Sequence, residues 1–100
     1  MQLRDIAHSR AGDKGNRSTL SVIAYDIRDF AKIERQITVD RVKAHFGDVV
    51  KGHVERHVVA QLGALNFVLH DALGGGVTRS LALDAHGKCL SAALLAMSIE

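Results

Sequence analysis

The stretch Thr19-Leu-Ser-Val-Ile-Ala-Tyr25 decides the fold class, because its side chains alternate: Leu20, Val22 and Ala24 share one face, and Thr19, Ser21, Ile23 and Tyr25 share the other. That is the pattern of a half-buried strand. Upstream, Leu3 to Arg10 is a shorter, partly alternating run anchored on Ile6, and it reads as a first strand. The two strands are expected to flank a loop of about eight residues, longer than the commonest hairpin connections.

That loop belongs to the most chemically dense segment of the chain, Ala7-His-Ser-Arg-Ala-Gly-Asp-Lys-Gly-Asn16. Gly12 and Gly15 permit positive φ and let successive N–H groups converge, while Arg10, Lys14 and Arg17 surround the bend with positive charge. Such a bend holds anions, and it also serves as a plain polar turn. Arg10, Gly12, Asp13, Lys14, Gly15 and Asn16 are the ligand-binding candidates here. His8, Asp13 and Lys14 are the catalytic candidates, since a histidine titrates near neutrality and a nearby carboxylate orients its ring.

Downstream, Asp26 stands at an N-cap position, and Ile27, Phe30, Ala31 and Ile37 recur at helical spacing. Thr38 caps a second helical pattern through Val39, Val42 and Phe46, with Gly47 as a left-handed stop. These are two helices or one bent one. Gly52 to Ala60 alternates as a third strand, with Val54, Arg56 and Val58 opposed by His53, Glu55 and His57. In a strand His53 and His57 lie about 13 Å apart, too far to clasp one ion, so no metal site is expected.

Leu65, Val68, Leu69, Ala72 and Leu73 suggest an amphipathic helix closed by Gly74, with Gly63 marking the break before it. Gly74-Gly75-Gly76 follows, and three consecutive glycines suit either close approach of a ligand or partner or a mobile loop. Gly75, Gly76, Thr78 and Arg79 therefore join the ligand-binding candidates. Arg79 to Leu83 reads as a fourth strand and Asp84 to Lys88 as a turn. Leu90, Ala93, Leu94 and Met97 fit a short helix, closing with an extended Met97-Ser98-Ile99.

Composition sets the outer limits. The 100 residues suit one domain over 1–100, with 47% hydrophobic and 24% charged residues mixed along the chain. The net charge of +2 is interleaved, not gathered in a stripe, and Tyr25, Phe30, Phe46 and Phe67 form no basic-aromatic run, so nucleic acid is not an expected partner. Arg4 and Asp5 stand where a signal peptide would be apolar, and the longest uncharged run, Cys89 to Ile99, is too short to span a bilayer. A single cysteine, Cys89, fits a reducing compartment. The expectation is a cytoplasmic protein with no membrane partner and no cofactor.

Taken together, the segments Ala7 to Asn16, Leu20-Ser-Val-Ile-Ala-Tyr-Asp26, Arg41-Val-Lys-Ala-His-Phe46 and Ala64 to Leu81 resemble the small ferredoxin-fold domain of the acyclic terpene utilisation protein AtuA family. The Gly-Asp-Lys-Gly and Ala-Leu-Gly-Gly-Gly-Val-Thr motifs carry the likeness jointly. The resemblance implies an α+β ferredoxin-like sandwich: an antiparallel sheet of about four strands with helices on one face, in the order β-β-α-β-α-β. It also implies a link to catabolism of acyclic terpenes through acyl-CoA intermediates. In larger relatives this domain follows a big N-terminal domain. Two readings follow. One is an accessory or assembly subunit that forms homo-oligomers and docks on a larger AtuA-type protein, with the glycine stretches in the interface. The alternative is a small enzyme or half-site binding an anionic acyl-CoA-type substrate at the Gly-Asp-Lys-Gly loop.

Overall fold

The computed structural model of the chain describes residues 1–14, 17–47, 50, 52–70 and 88–100. Its centre is a four-stranded antiparallel sheet in the order β1-β2-β4-β3, formed by β1 (Ala7–Lys14), β2 (Arg17–Ala24), β3 (Val54–Val59) and β4 (Ala64–His70). Helices α1 (Phe30–Gln36) and α2 (Val39–Phe46) connect β2 to β3, and α3 (Lys88–Leu95) comes late in the chain. The arrangement is α+β and ferredoxin-like, with all described helices on one face.

The inner face is apolar by strand alternation. Leu20, Val22, Val54, Leu65, Phe67 and Leu69 are buried, and the register sets Leu20 beside Phe67 and Val22 beside Leu65. Onto them pack Phe30 and Ile33 of α1, Val42 and Phe46 of α2, and Leu90 and Leu94 of α3. Arg56 also lies on this face, at the edge strand, and its guanidinium donates to the carbonyls of Ile37 and Glu34 at the end of α1. A cation at a helix C-terminus meets both the unpaired carbonyls and the negative end of the helix dipole.

Local signals explain the helix boundaries. Asp26 accepts from the Arg28 amide at 2.9 Å and caps a single 3-10 turn, Ile27–Asp29, that runs into α1. Thr38 Oγ1 accepts from the Arg41 amide at 3.2 Å and starts α2, so the segment is two helices. Gly47 ends α2 with φ of 57°, a region that favours glycine. The chain ends meet as well: Gln2 bridges Ser98 antiparallel, Leu3 donates to the Met97 carbonyl at 2.9 Å, and Arg41 holds the Ser98 carbonyl at 2.6 Å. The extended Met97-Ser98-Ile99 segment is thereby accounted for.

Three expectations are corrected. The first strand does not begin at Leu3, because Leu3–Asp5 forms a 3-10 turn and β1 starts at Ala7. The loop of about eight residues between the first two strands is absent: pairing continues to Lys14 opposite Arg17, so Ala11 to Lys14 is strand. Gly12 lies within β1 and is not among the described glycines with positive φ.

The third correction is the largest. The helix expected from Leu65 is strand β4, paired with β2 on one side and β3 on the other. Val68 lies on the outer face between Asn66 and His70, and with Leu65 and Leu69 it imitates a helical repeat. Cross-strand pairing on both sides overrides that local pattern. The described elements consequently run β-β-α-α-β-β and then α3, in place of β-β-α-β-α-β. Ala72 to Gly74, the strand expected over 79–83 and the turn expected over 84–87 lie outside the described residues.

Candidate functional site

The sheet face turned away from the helices is where the chain gathers its unexplained polar and aromatic groups. The register arranges this face in four rows running across the strands. At one end stand His8, Ile23, Ala64 and Val59, followed by Arg10, Ser21, Asn66 and His57, then Gly12, Thr19, Val68 and Glu55. At the hairpin end, Lys14 stands opposite Arg17 and Arg17 opposite His70, whose amide donates to the His53 carbonyl at 2.9 Å.

The two ends differ in chemistry. At the first, His8 stacks on Tyr25 with ring centroids 5.3 Å apart. Tyr25 is 68% exposed, and Ile27 and Leu62 beside it are 58% and 70% exposed. Gly63 makes this corner possible: its φ is 62°, its carbonyl accepts from the Ala24 amide, and a Cβ there would come within 2.8 Å of Ile27 Cδ1.

Toward the hairpin end, Glu55 is the hub. Its Oε2 accepts from His70 Nε2 at 2.6 Å and its Oε1 from His57 Nε2 at 3.2 Å, one ring on each side along the sheet. Hydrogen bonds from His70 first and His57 second hold the Glu55 carboxyl below its ordinary value. His53 stacks on His70 with centroids 5.9 Å apart. Because the carboxylate separates the two rings it engages, the group is a hydrogen-bonded relay. Among the described residues no set of His, Cys, Asp or Glu is placed to hold a metal ion.

Of the residues singled out from sequence, Arg10 is exposed and Gly12 lies in β1 on the open face, while Asp13 and Lys14 occupy the last register positions of β1. His8 and Asp13 are five positions apart along one strand, about 17 Å. The backbone therefore does not bring them together as a proton-transfer pair. Gly15, Asn16, Gly75, Gly76, Thr78 and Arg79 lie outside the described residues.

His70 is the residue that sequence reasoning missed. Assigned to a helix, it had no route to Glu55. The signal was present in the period of two formed by Leu65, Phe67 and Leu69, which puts Asn66, Val68 and His70 on the opposite face.

No helix among the described residues is long and apolar enough to cross a membrane. Comparison with curated proteins and with solved structures returns no match. The family model of the AtuA ferredoxin-like domain, by contrast, matches residues 1–100, the same span that carries both glycine motifs and the four-stranded sheet. The chain belongs to the AtuA ferredoxin-like domain family.

Proposed function

We propose that this domain is an accessory or assembly unit that docks on a larger AtuA-type protein, in cytoplasmic catabolism of acyclic terpenes through acyl-CoA intermediates. The observation that supports docking is the apolar end of the open face, where Tyr25, Ile27 and Leu62 are exposed together beside the half-buried Ile23 and Val59. Three large apolar side chains exposed at one corner of a small domain form a surface that gains by being covered. The larger AtuA-type protein is the occupant we infer from the match to the AtuA ferredoxin-like domain.

Light scattering on the chain mixed with a larger AtuA-type protein tests this reading. A stoichiometric complex is expected, and Tyr25→Glu or Leu62→Glu should weaken it by about tenfold or more while the melting temperature holds. A homo-oligomer broken by the same substitutions, with no complex formed, would assign this end to a second copy and overturn the proposal.

A second reading is favoured by the other end of the face. Lys14 and Arg17 directly oppose one another there, which suits an anionic acyl-CoA-type ligand held beside the Gly-Asp-Lys-Gly segment. In that reading the domain is a small enzyme or half of an active site. Direct titration of the chain with an acyl-CoA ester tests it, and the absence of saturable binding would remove it.

A further inference from the structure

We propose that the free edge of β3 pairs with the same edge of a second copy of this chain, antiparallel and centred on Arg56, joining the two sheets into one. The inference goes beyond the docking surface at Tyr25, Ile27 and Leu62 and uses a different part of the molecule.

The backbone supplies the first argument. β3 ends the order β1-β2-β4-β3, so one side of it has no described strand. The His70 amide donates to the His53 carbonyl, and the His70 carbonyl accepts from the Gly52 amide. His70 therefore faces β3, and by alternation so do Val68, Asn66 and Ala64, whose register partners are Glu55, His57 and Val59. Val54, Arg56 and Val58 turn their N–H and C=O groups the other way, where nothing among the described residues pairs with them. Such a row is a template for another strand.

The side chains select a second copy as the occupant, because the strand is complementary to itself about Arg56. Antiparallel pairing there sets Val54 opposite Val58 of the second copy and Glu55 opposite its His57, each twice by symmetry. Val58 is 43% exposed on the face where Val54 is buried, and the new pairing covers it. The Glu55 carboxylate, an acceptor, meets the exposed ring of His57, a donor that it already engages within one copy. Centring the pair on Glu55 would oppose two carboxylates, and centring it on His57 would set Arg56 against Val58. An inward charge on an edge strand ordinarily discourages pairing, but the Arg56 guanidinium is drawn to the carbonyls of Ile37 and Glu34 in its own copy. The pairing forms about six main-chain hydrogen bonds, on the scale of a reversible dimer.

The test is an isotope-filtered NOE experiment on mixed labelled and unlabelled full chain, beside light scattering over a concentration series up to about 1 mM. A monomer–dimer equilibrium is expected, with an intermolecular contact between Glu55 Hα and His57 Hα, since these residues form a non-hydrogen-bonded pair with Cα atoms about 4.5 Å apart. Val58→Lys should weaken the dimer by about tenfold or more while the melting temperature holds. Val58→Pro, which removes an outward N–H that the sheet of one copy does not use, should weaken it by about as much. Val58→Ile keeps the apolar pairing and should change it less than about twofold.

A chain that stays monomeric throughout the series overturns the proposal. So does a dimer whose intermolecular contact joins His57 to His57 or lies outside β3, and so does one that Val58→Lys leaves intact. Absence of the dimer leaves the docking reading standing, because that reading is decided by complex formation with a larger AtuA-type protein. Absence of that complex, in turn, leaves the β3 contact to be read directly from the NOE.

Discussion

The inner and outer faces of this sheet come from the same four strands and follow different rules. On the inner face Leu20, Val22, Leu65, Phe67 and Leu69 are fully buried and interlock with three helices. On the outer face the alternate residues of the same strands are histidines, arginines, a glutamate and half-buried aliphatics. The inner set is what folding requires. The outer set is more polar and more basic than the inner one, and it is the face on which the proposed functions rest.

The comparison is sharpest at two adjacent residues of β4. Phe67 is fully buried beside Leu20, whereas Val68 points to the open face between Thr19 and Glu55. Phe67→Ala should cost about 3–5 kcal/mol through lost burial and a cavity that the packed helices cannot close. Val68→Ala should cost less than about 1 kcal/mol. Chemical denaturation of both variants measures the difference, and similar losses would mean that the outer face is covered.

Arg56 is the exception on the inner face, and it tests whether that face tolerates charge only where the charge is satisfied. Its guanidinium donates to the carbonyls of Ile37 and Glu34, closing the end of α1 against the β3 edge. Arg56→Ala should lose about 1.5–3 kcal/mol, the scale of a charge-assisted hydrogen bond, and Arg56→Met should recover the part due to stem packing. An unchanged unfolding midpoint in Arg56→Ala would show that these bonds contribute nothing to stability.

Ser18 offers the opposite test. It is 1% exposed, and its hydroxyl has no partner among the described residues. An unpaired buried hydroxyl opposes folding, so Ser18→Ala should stabilise the domain by up to about 1 kcal/mol. Destabilisation would show that the hydroxyl is bonded.

Much of this architecture was legible in the sequence, and where legibility failed the cause is physical. The faces of β2, the caps at Asp26 and Thr38, the stop at Gly47 and the strand through Val54 to Val59 all follow from local alternation or local capping chemistry. The central strand β4 was hidden because Val68 on its outer face completes a helical repeat with Leu65, Leu69, Ala72 and Leu73, which masks the alternation of Leu65, Phe67 and Leu69. The hairpin was misjudged for a related reason. Gly12 and Asp13 suggest a turn locally, but pairing between β1 and β2 continues through them to Lys14. The Glu55–His70 contact joins residues fifteen apart in sequence, and it is visible only once β3 and β4 are set in register.

That contact also gives the smallest and most specific prediction. Glu55 is exposed enough to be well solvated, so its contribution is read as a slope and not as a large stability change. Hydrogen bonds from His70 and His57 place its carboxyl below the ordinary value of 4.5 in the folded state. A group whose folded value is depressed contributes stability that is present above its unfolded value and disappears as pH falls through the folded one. The wild-type domain should therefore lose melting temperature more steeply than Glu55→Gln on acidification below about pH 4.5, and should exceed the variant at neutral pH. Asp26, held low by Arg28 at the N-cap, contributes a slope of the same sign from elsewhere on the surface. Asp26→Asn alone and combined with Glu55→Gln separates the two, since groups on different elements with no shared partner should act additively. Parallel acid slopes in wild type and Glu55→Gln would show that the histidines do not hold the carboxylate.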